Sequence, residues 1–380
     1  MKLLHIADLH IGKRIHERSL LEDQAYILKQ IIDMVEQHKP DGILIAGDIY
    51  DKSIPLERGV SVFDDFLTAL NHCHVPVFII SGNHDSGERL HFGARIMAEK
   101  EVYVTGVYKG TLEKITLNDT FGPVNIYLLP FMKPGHVREF FGQIDTYEEA
   151  LKAVIDHSDV DTAMRNVLVA HQFVTNAGIQ PETCDSETIT IGGSDNVDAS
   201  IFRVFDYVAL GHLHGAQRIG SQESCIRYAG SPLKYSFSEV NQKKSVTMIT
   251  LQEKGNLTVE LLPLLPFRDM RAIKGPLEEL VKKEYVSQGD PTDYMRVTLT
   301  NEEELFAPLD KLRSVYPNIL RLDFENSRTA SNENIQLNVK DMKNKTPFHL
   351  MEEFYEKQNN QPLSQEQRKR LQDILGGEKQ

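Results

Sequence analysis

The sequence is short of positive charge. Its 42 lysines and arginines face 55 aspartates and glutamates, and the formal net charge is −13 at pH 7. A protein that holds nucleic acid by a general basic surface has the opposite balance. The composition therefore argues against that class, and a polyanionic substrate would have to be attracted by bound cations and a few local basic side chains.

Cysteine and long apolar runs are also scarce. Cys73, Cys184 and Cys225 are odd in number and lack Cys-x-x-Cys spacing, which argues against a disulfide framework and a thiolate zinc site. No apolar run approaches the roughly 18 residues of a membrane span. Too few apolar residues precede His5 for a secretory signal. We therefore expect a cytoplasmic protein without a membrane segment.

What the sequence does have is a set of short apolar runs that end on polar residues. The run Gly42 to Ala46 ends on Gly47 and Asp48. The other four runs are Lys2 to Ala7 before Asp8-Leu9-His10, Val77 to Ile80 before Asn83-His84-Asp85, Val167 to Ala170 before His171, and Tyr207 to Leu210 before His212-Leu213-His214. Runs of this length predict buried strands, and ligands collect at the carboxyl ends of strands in α/β sheets.

These side chains offer carboxylate, imidazole and amide groups, a mixture that suits a borderline divalent cation. Manganese fits best, with iron, zinc or magnesium as alternatives. Taken singly, Asp8-x-His10 is more typical of a turn, and His171 of a satisfied core histidine. The recurrence at five strand ends favours a site for two metal ions, with Asp48 as the bridge. Two such ions bind one phosphate between them and lower the pKa of a bound water.

The first half of the chain alternates predicted strands with helices. Apolar periodicity predicts helices at Glu22 to Gln37, with Ala25 on the buried face, and at Arg58 to Asn71. This alternation is typical of a parallel sheet covered by helices. From Val102 to Leu129 the pattern changes to short β-type runs and indicates a second sheet with antiparallel parts. The region from Thr175 to Ala199 predicts a long loop.

Further along the chain, the predictions concern a helix, core positions and domain limits. A helix is predicted at Thr146 to His157, and Ile189 and Ile191 are the core positions of the long loop. Prolines 263 and 266 then mark a boundary. We predict a main domain at residues 1–266, a small α+β domain at 267–340 and a helical tail at 341–380.

In the small domain and the tail, the pattern predicts short elements. The predicted elements of the small domain are helices at Leu277 to Lys283 and Glu303 to Ser314 and strands at Tyr294 to Leu299, near Leu320 to Phe324 and at Ile335 to Val339. In the tail, Thr346 reads as a helix N-cap, and Ser364 with Gln367 as a capping box. The apolar faces of these helices, which include Met351 and Phe354, favour docking of a partner.

The strand-end motifs resemble those of the calcineurin-like metallophosphoesterase superfamily. The stretches are Asp8-x-His10, Gly47-Asp48-x-x-Asp51, Gly82-Asn83-His84-Asp85, His171 and Gly211-His212-x-His214. The resemblance implies two mixed β-sheets packed face to face with helices outside, a four-layer sandwich. It also implies one ion held by Asp8, His10, Asp48 and His214 and a second held by Asp48, Asn83, His171 and His212. His84 is then predicted to stabilise the pentacovalent state or to protonate the leaving oxygen, and Asp85 to orient His84.

Other stretches resemble the SbcD-type nuclease subunits of bacteria. They are His5 to Gly12, Ser81 to Ser86, Gly211 to His214, Ala229 to Pro232 and Ser236 to Glu239. The resemblance implies a manganese-dependent DNA nuclease, with magnesium as the other metal, acting in repair, recombination and replication. It would be an ATP-dependent 3'-5' exonuclease on duplex DNA and an endonuclease on single strands and hairpins. Asp51 stays outside the catalytic set, because archaeal and eukaryotic relatives have histidine there.

The same resemblance implies partners. The small domain would cap the site and admit DNA, and the tail would bind the coiled coil of an SbcC-like ATPase in a heterotetramer built on a homodimer. The candidate DNA contacts are Lys13, Arg14, Arg18 and Arg89, for which a solvated loop or helix surface is the alternative reading.

Two other functions remain open on the sequence. One is a small-molecule or cyclic-nucleotide phosphodiesterase of the same superfamily, and the other is a non-catalytic scaffold. The additional domain and tail favour a macromolecular substrate, and the complete ligand set argues against a scaffold.

Overall fold

The computed structural model describes residues 1–187, 195–220, 225–326, 346–359 and 362–376. The chain divides into two compact units, Met1–Asp269 and Met270–Gln380. Three predictions lie outside the described residues: the core positions Ile189 and Ile191, the strand at Ile335 to Val339, and the limit between the small domain and the tail.

The first unit contains sixteen strands in its described part, twelve of them in two large mixed sheets. In chain order the strands are β1 (Lys2–Ile6), β2 (Arg14–Ile15), β3 (Arg18–Ser19), β4 (Gly42–Ala46), β5 (Val77–Ile80), β6 (Val102–Thr105), β7 (Glu113–Asp119), β8 (Gly122–Leu129), β9 (Arg165–His171), β10 (Val174–Thr175), β11 (Val197–Asp198), β12 (Tyr207–Gly211), β13 (Gln217–Ile219), β14 (Ile226–Tyr228), β15 (Ser245–Leu251) and β16 (Leu257–Pro263). The first sheet has the order β16-β15-β1-β4-β5-β6 and the second β13-β14-β12-β9-β8-β7. In each sheet four adjacent strands are parallel.

Helices accompany the strands of both sheets. They are α1 (Leu21–His38), α2 (Glu57–His72), α3 (Gly87–Leu90), α4 (Ala94–Ala98), α5 (Arg138–Phe141) and α6 (Tyr147–His157). The start of α6 is fixed by a capping box, in which Thr146 accepts from the backbone of Glu149 and the Glu149 carboxylate accepts from the backbone of Thr146. The predicted ends of α1, α2 and α6 agree with these bounds to within one residue.

The core of the unit lies between the two sheets. Alternate residues of β1, β4 and β5 pack against alternate residues of β8, β9 and β12, because successive side chains of a strand point to opposite faces. This buried cluster includes Leu44, Phe78, Ile126, Val169 and Tyr207. The predicted architecture of two mixed sheets flanked by helices is confirmed. Because both sheets present the carboxyl ends of parallel strands, loops from both can meet at one edge of the sandwich.

Two predictions about the first unit are wrong. The run Val102–Thr105 pairs in parallel with Val77–Ile80 in the first sheet, so the second sheet begins only at Glu113. This run, β6, is the fourth parallel strand of the first sheet, and the short helices α3 and α4 connect it to β5. Ala25 of α1 is exposed, and Ile27 is buried in its place. The apolar stripe of the helix is therefore centred on Ile27, Leu28 and Ile31.

The second unit is a small parallel sheet followed by two helices. Its elements are β17 (Met270–Gly275), α7 (Leu277–Leu280), α8 (Lys283–Val286), β18 (Tyr294–Leu299), α9 (Pro308–Arg313) and β19 (Ile319–Phe324). The order β17-β18-β19 is parallel throughout, so helices connect parallel strands in the described part, where an α+β arrangement was predicted. The first strand was not predicted, and the helix predicted at Glu303 to Ser314 begins only at Pro308.

Two further helices, Pro347–Asn359 and Gln365–Gly376, follow in this unit. The capping box predicted for the second is confirmed, since Ser364 and Gln367 exchange hydrogen bonds of 2.9 and 3.2 Å. The Phe354 side chain on the first is 64% exposed, and that of Ile374 on the second is 67% exposed. Among the described helices of the chain, none is both long and apolar enough to cross a membrane.

Candidate metal centre

The loops after β1 and β4 are joined by backbone hydrogen bonds. Asp8 N donates to Gly47 O over 3.1 Å, and His10 N donates to Asp48 O over 2.9 Å. Both strands are parallel neighbours in the first sheet, so their loops leave at the same edge. The bonds bring the side chains of Asp8, His10 and Asp48 together.

Asp48 lies between two groups of imidazoles. Its Oδ1 accepts a hydrogen bond from the backbone N of His84 at 2.9 Å, which fixes the carboxylate. Its Oδ2 is 3.5 Å from Nε2 of His10 and 3.5 Å from Nε2 of His171. One oxygen atom is thus equally far from ring nitrogens on the two sides.

On one side, Asp8, His10 and His214 form a buried group whose ligand atoms lie within 4.8 Å of one another. Nε2 of His10 is 3.1 Å from Nε2 of His214. Among the described residues, Oδ2 of Asp8 is a buried oxygen with no hydrogen-bond partner. A buried carboxylate oxygen without a donor is costly, and a cation satisfies it.

On the other side, Asn83 and two histidines from the second sheet meet. Oδ1 of Asn83 is 3.0 Å from Nε2 of His171 and 3.0 Å from Nδ1 of His212. Nδ1 of His171 donates to the carbonyl of Ala46 at 2.8 Å, so Nε2, which faces Asn83 and Asp48, is the nitrogen left for a cation. All seven residues predicted as metal ligands are therefore brought together, in two groups that share Asp48.

The pKa values of the histidines and aspartates at the site favour the binding of cations. Burial lowers the pKa of His10 and His214 well below the usual range and that of His212 to about 3, so these rings are neutral. Burial, with the charge of Asp48 in addition, raises the pKa of Asp8 well above its usual value. Burial opposes the charged form of His171, but the Asp48 carboxylate raises its pKa to about 9. His171 therefore keeps a proton on Nε2 until a cation displaces it. Imidazole nitrogens beside buried carboxylates are a donor set that suits divalent cations.

The backbone at the site is strained. The φ angles of Asp8, His10, Asp48 and His212 are 55°, 42°, 51° and 105°, in the left-handed region that non-glycine residues rarely adopt. Each such residue costs about 1–3 kcal/mol. Four strained positions among seven candidate ligands indicate that function, and not stability, selects this conformation.

Two glycines allow the loops to approach. A Cβ on Gly82 would lie 2.1 Å from Oδ1 of Asp48, and one on Gly211 would lie 1.9 Å from the carbonyl oxygen of Ala46. No side chain fits at either position. The glycines in Gly82-Asn83 and Gly211-His212 are thus required by the close approach of Asp48 and of the two sheets.

His84 lies beside these groups, and the predicted role of Asp85 is wrong. The His84 ring is edge-on to His10, and its Nδ1 donates to the carbonyl of Asp51 at 2.9 Å. The Asp85 carboxylate instead accepts from the backbone N of Ile49, Tyr50 and Gly82 at 2.9–3.1 Å. It holds the loops around Asp48 and does not orient the imidazole.

The sequence reasoning missed several supporting residues. Gln24 of α1 donates to the carbonyls of Leu9 and His10, and Tyr235 packs edge-on against His10. A polar residue within the apolar stripe of α1 was the available signal for Gln24. Ser186, Glu239 and Lys244 support His214 from loops that carry no strand-end motif.

The predicted DNA contacts differ in their surroundings. Lys13 pairs with Asp51 at 2.9 Å, at the rim of the site. Arg14 and Arg18 are exposed on the short β2–β3 hairpin that follows, and Arg89 is exposed on α3. The last three side chains are therefore accessible to a ligand that arrives from solvent.

Residues 1–216 match the calcineurin-like phosphoesterase family, and residues 266–359 match the Type 5 capsule protein repressor C-terminal domain. A relative over nearly the whole chain is the SbcD subunit of the nuclease SbcCD of Staphylococcus epidermidis, with 35% identity over 99% of this chain and 98% of the relative.

The solved structures that the chain matches include a dimetal phosphatase from Danio rerio, with a TM-score of 0.40 and 14% identity over 70% of this chain and 96% of that one. Another is the phosphopantetheinyl hydrolase of Mycobacterium tuberculosis, with a TM-score of 0.36 and 14% identity over 61% and 90% of the two chains.

Proposed function

The chain belongs to the calcineurin-like phosphoesterases and, over its length, to the SbcD-type nuclease subunits, and from this premise we propose that it is a metal-dependent DNA nuclease subunit. The observation that carries the proposal is the position of Asp48 Oδ2, 3.5 Å from an imidazole nitrogen on each side. A carboxylate between two groups of ligands can hold two ions close together, and two neighbouring ions are what two-metal phosphodiester hydrolysis requires.

One ion would be held by Asp8, His10, Asp48 and His214, and the other by Asp48, Asn83, His171 and His212. The mixture of nitrogen and oxygen donors favours Mn²⁺, with Mg²⁺ as the alternative. When bound, the ions supply a water nucleophile and neutralise charge on the phosphate.

The chain's own contribution to the chemistry centres on His84. Because Nδ1–H of His84 donates to the Asp51 carbonyl, Nε2 is the nitrogen that faces a substrate, and the imidazolium form of His84 gives its Nε2 proton to the departing sugar oxygen. Lys13 neutralises Asp51, so that this carboxylate does not repel a phosphate at the rim.

DNA is the substrate that suits the rest of the chain. With a net charge of −13, attraction for the phosphate backbone comes from the bound cations and from Arg14, Arg18 and Arg89. The helix Pro347–Asn359 of the second unit docks on an SbcC-like coiled-coil ATPase. With that partner the chain degrades duplex ends 3'-5' and cuts single strands and hairpins, in DNA repair, recombination and replication in the cytoplasm.

An apolar surface beside the site supports a homodimer within that assembly. Phe92 and Ile96 are 86% and 74% exposed, and Ile54 and Leu56 are exposed at the start of α2. Phe92 and Val60 line one cavity of about 680 Å³ between α2 and the segment of α3 and α4. Large apolar patches that are exposed on a protein often mark sites of protein–protein interaction. Two copies of the chain bury this surface against each other.

Asp48→Ala tests the function. The purified chain is incubated with Mn²⁺ and linear duplex DNA, a DNA hairpin or bis-p-nitrophenyl phosphate, and bound metal is counted. We expect Asp48→Ala to lose both ions and all cleavage, because each ion loses an oxygen ligand. The exposed Asp65→Ala on α2 is the matched control and should keep both.

The substrates separate the alternatives. Hydrolysis of the small ester alone would indicate a small-molecule phosphodiesterase, and metal binding with no hydrolysis a scaffold. Two ions retained in Asp48→Ala would refute the bridge.

A further inference from the structure

A buried pair of charged residues lies directly behind His214 and has no part in the chemistry described above. The segments Ala229 to Pro232 and Ser236 to Glu239 contain none of the seven proposed ligands. In the structure Glu239 is fully buried, and Lys244, just after it, is nearly so. Buried charged groups need an explanation, because removing them from water is costly.

Lys244 and Glu239 form a fixed ion pair. Nζ of Lys244 is 2.7 Å from Oε2 of Glu239 and 2.9 Å from Oγ of Ser231. It also donates to the carbonyl of His214 at 2.9 Å. The ammonium therefore holds the carboxylate and the backbone of His214 in one position, and it leaves Oε1 of Glu239 to other donors.

Ser186 links this carboxylate to the imidazole. Its Oγ donates to Oε1 of Glu239 at 2.7 Å, and the same Oγ is 2.7 Å from Nδ1 of His214. Since the carboxylate only accepts, the hydroxyl proton points to Glu239, and the hydroxyl oxygen accepts from Nδ1–H. The tautomer is thus set, and the lone pair of His214 is on Nε2, the atom 3.1 Å from Nε2 of His10.

The backbone of His214 is held by the residue that follows Ser186. Oε1 of Glu187 accepts from His214 N at 2.6 Å, and Oε2 of Glu187 accepts from Cys184 N at 2.9 Å. Residues 182–187 therefore lie across His214 as a strap that touches both its side chain and its backbone.

The group Cys184, His214 and Glu239 is close enough to suggest a third metal site, with ligand atoms within 4.8 Å of one another. The hydroxyl of Ser186 occupies the space between them, at 2.7 Å from Nδ1 of His214 and Oε1 of Glu239 and 3.2 Å from Sγ of Cys184. A neutral hydrogen bond donor and acceptor already satisfies these atoms, so this group is a relay and not a cation site.

We propose that Ser186 and Glu239, anchored by Lys244, form a positioning relay that sets the affinity of the ion shared by Asp8, His10 and His214, and of that ion only. The inference rests on the two-metal centre of the proposed function. The second ion is unaffected, because its ligand His171 is oriented by the carbonyl of Ala46 and not by the relay.

The test is Mn²⁺ binding to the metal-free full chain, followed by electron paramagnetic resonance. Ser186→Ala leaves Nδ1 of His214 without its acceptor, and loss of such an outer hydrogen bond weakens metal binding about 10- to 100-fold. We expect one Mn²⁺ to bind as in the wild type, the other to bind 10- to 100-fold more weakly, and the spin-coupled signal of a metal pair to be replaced by that of a single ion. Ser186→Thr keeps the hydroxyl and should restore the pair.

Ser236→Ala is the matched control. Oγ of Ser236 also donates to Oε1 of Glu239, at 3.0 Å, but does not reach the imidazole. This variant should bind both ions normally. Equal loss in Ser236→Ala, or a normal metal pair in a folded Ser186→Ala, would overturn the relay. Two ions in a wild type that cleaves no DNA would refute the proposed function alone, whereas cleavage with unchanged metal affinity in Ser186→Ala would refute the relay alone.

Discussion

At the scale of the residue, His84 and Asp48 are in contact but have different tasks. The backbone N of His84 holds Oδ1 of Asp48, while the His84 side chain bonds to the carbonyl of Asp51. A ring nitrogen of His84 is nevertheless within 4.8 Å of ligand atoms on His10 and Asp48. The proton-donor role and a ligand role for His84 therefore make different predictions for metal content.

We predict that His84→Gln keeps both ions and the fold and lowers kcat for DNA cleavage about a hundredfold to ten-thousandfold, the usual contribution of a general acid. Metal analysis and single-turnover rates check this. His91→Gln is the control, since His91 also bonds to a backbone carbonyl, that of Val104. Loss of one ion in His84→Gln would make His84 a ligand.

The sequence was informative about the seven candidate ligands because each follows a parallel strand, and such strand ends meet at one edge. It gave no role to Ser186 or Glu239, because they reach His214 from loops whose positions periodicity does not predict. Asp85 was misread for a related reason. Its neighbour in the sequence is His84, but its hydrogen bonds go to the backbone of Ile49 and Tyr50 in another loop and of Gly82 in its own.

At the scale of the element, capping and apolar periodicity predicted the ends of the helices well. The sequence pattern predicted less well which sheet a strand joins. The sequence of the run Val102–Thr105 predicts a strand but not its sheet, because packing against other strands determines which strand it pairs with. The helix Pro347–Asn359 shows what periodicity can predict. Its Met351 and Phe354 lie three residues apart and both are exposed, which leaves an apolar face to a partner.

We predict that Phe354→Asp weakens binding to an SbcC-like ATPase about 10- to 100-fold, because burial of a phenylalanine side chain contributes about 1.5–3 kcal/mol. Manganese-dependent cleavage of single-stranded DNA should not change. Titration calorimetry with the ATPase measures the affinity, and Phe306→Asp, at a side chain 86% exposed elsewhere in the same unit, is the control. Unchanged affinity in Phe354→Asp would contradict docking by this face.

At the scale of the whole molecule, the composition and motifs of the sequence do not predict which surface forms a dimer. The exposed phenylalanine and isoleucine of the α3–α4 segment became evident only when the structure showed them beside α2. In the sequence, Arg89 and Arg95 stand close to Phe92 and Ile96, and such a mixture of charged and apolar residues is typical of an ordinary surface helix.

We predict that Phe92→Asp converts a dimer to a monomer in sedimentation experiments, because a charge would be buried without a partner. Hydrolysis of bis-p-nitrophenyl phosphate should be retained, since neither metal group is touched. Phe121→Asp, on the turn between β7 and β8, is the control for an exposed phenylalanine. A wild type that sediments as a monomer, or a Phe92→Asp variant that remains a dimer, would refute this interface.

The neighbour of β1 in the first sheet has a consequence for biosynthesis. Lys2 of β1 pairs with Thr250 of β15. One edge of β1 therefore stays unpaired until the ribosome has made β15, almost at the end of the first unit. At about 5–20 residues per second, a ribosome needs about 12 to 50 seconds to reach that partner. The nascent chain must keep an apolar strand edge from pairing with other chains for all that time, and His214 is not yet made for most of it. The complete metal site can therefore form only near the end of the synthesis of the first unit.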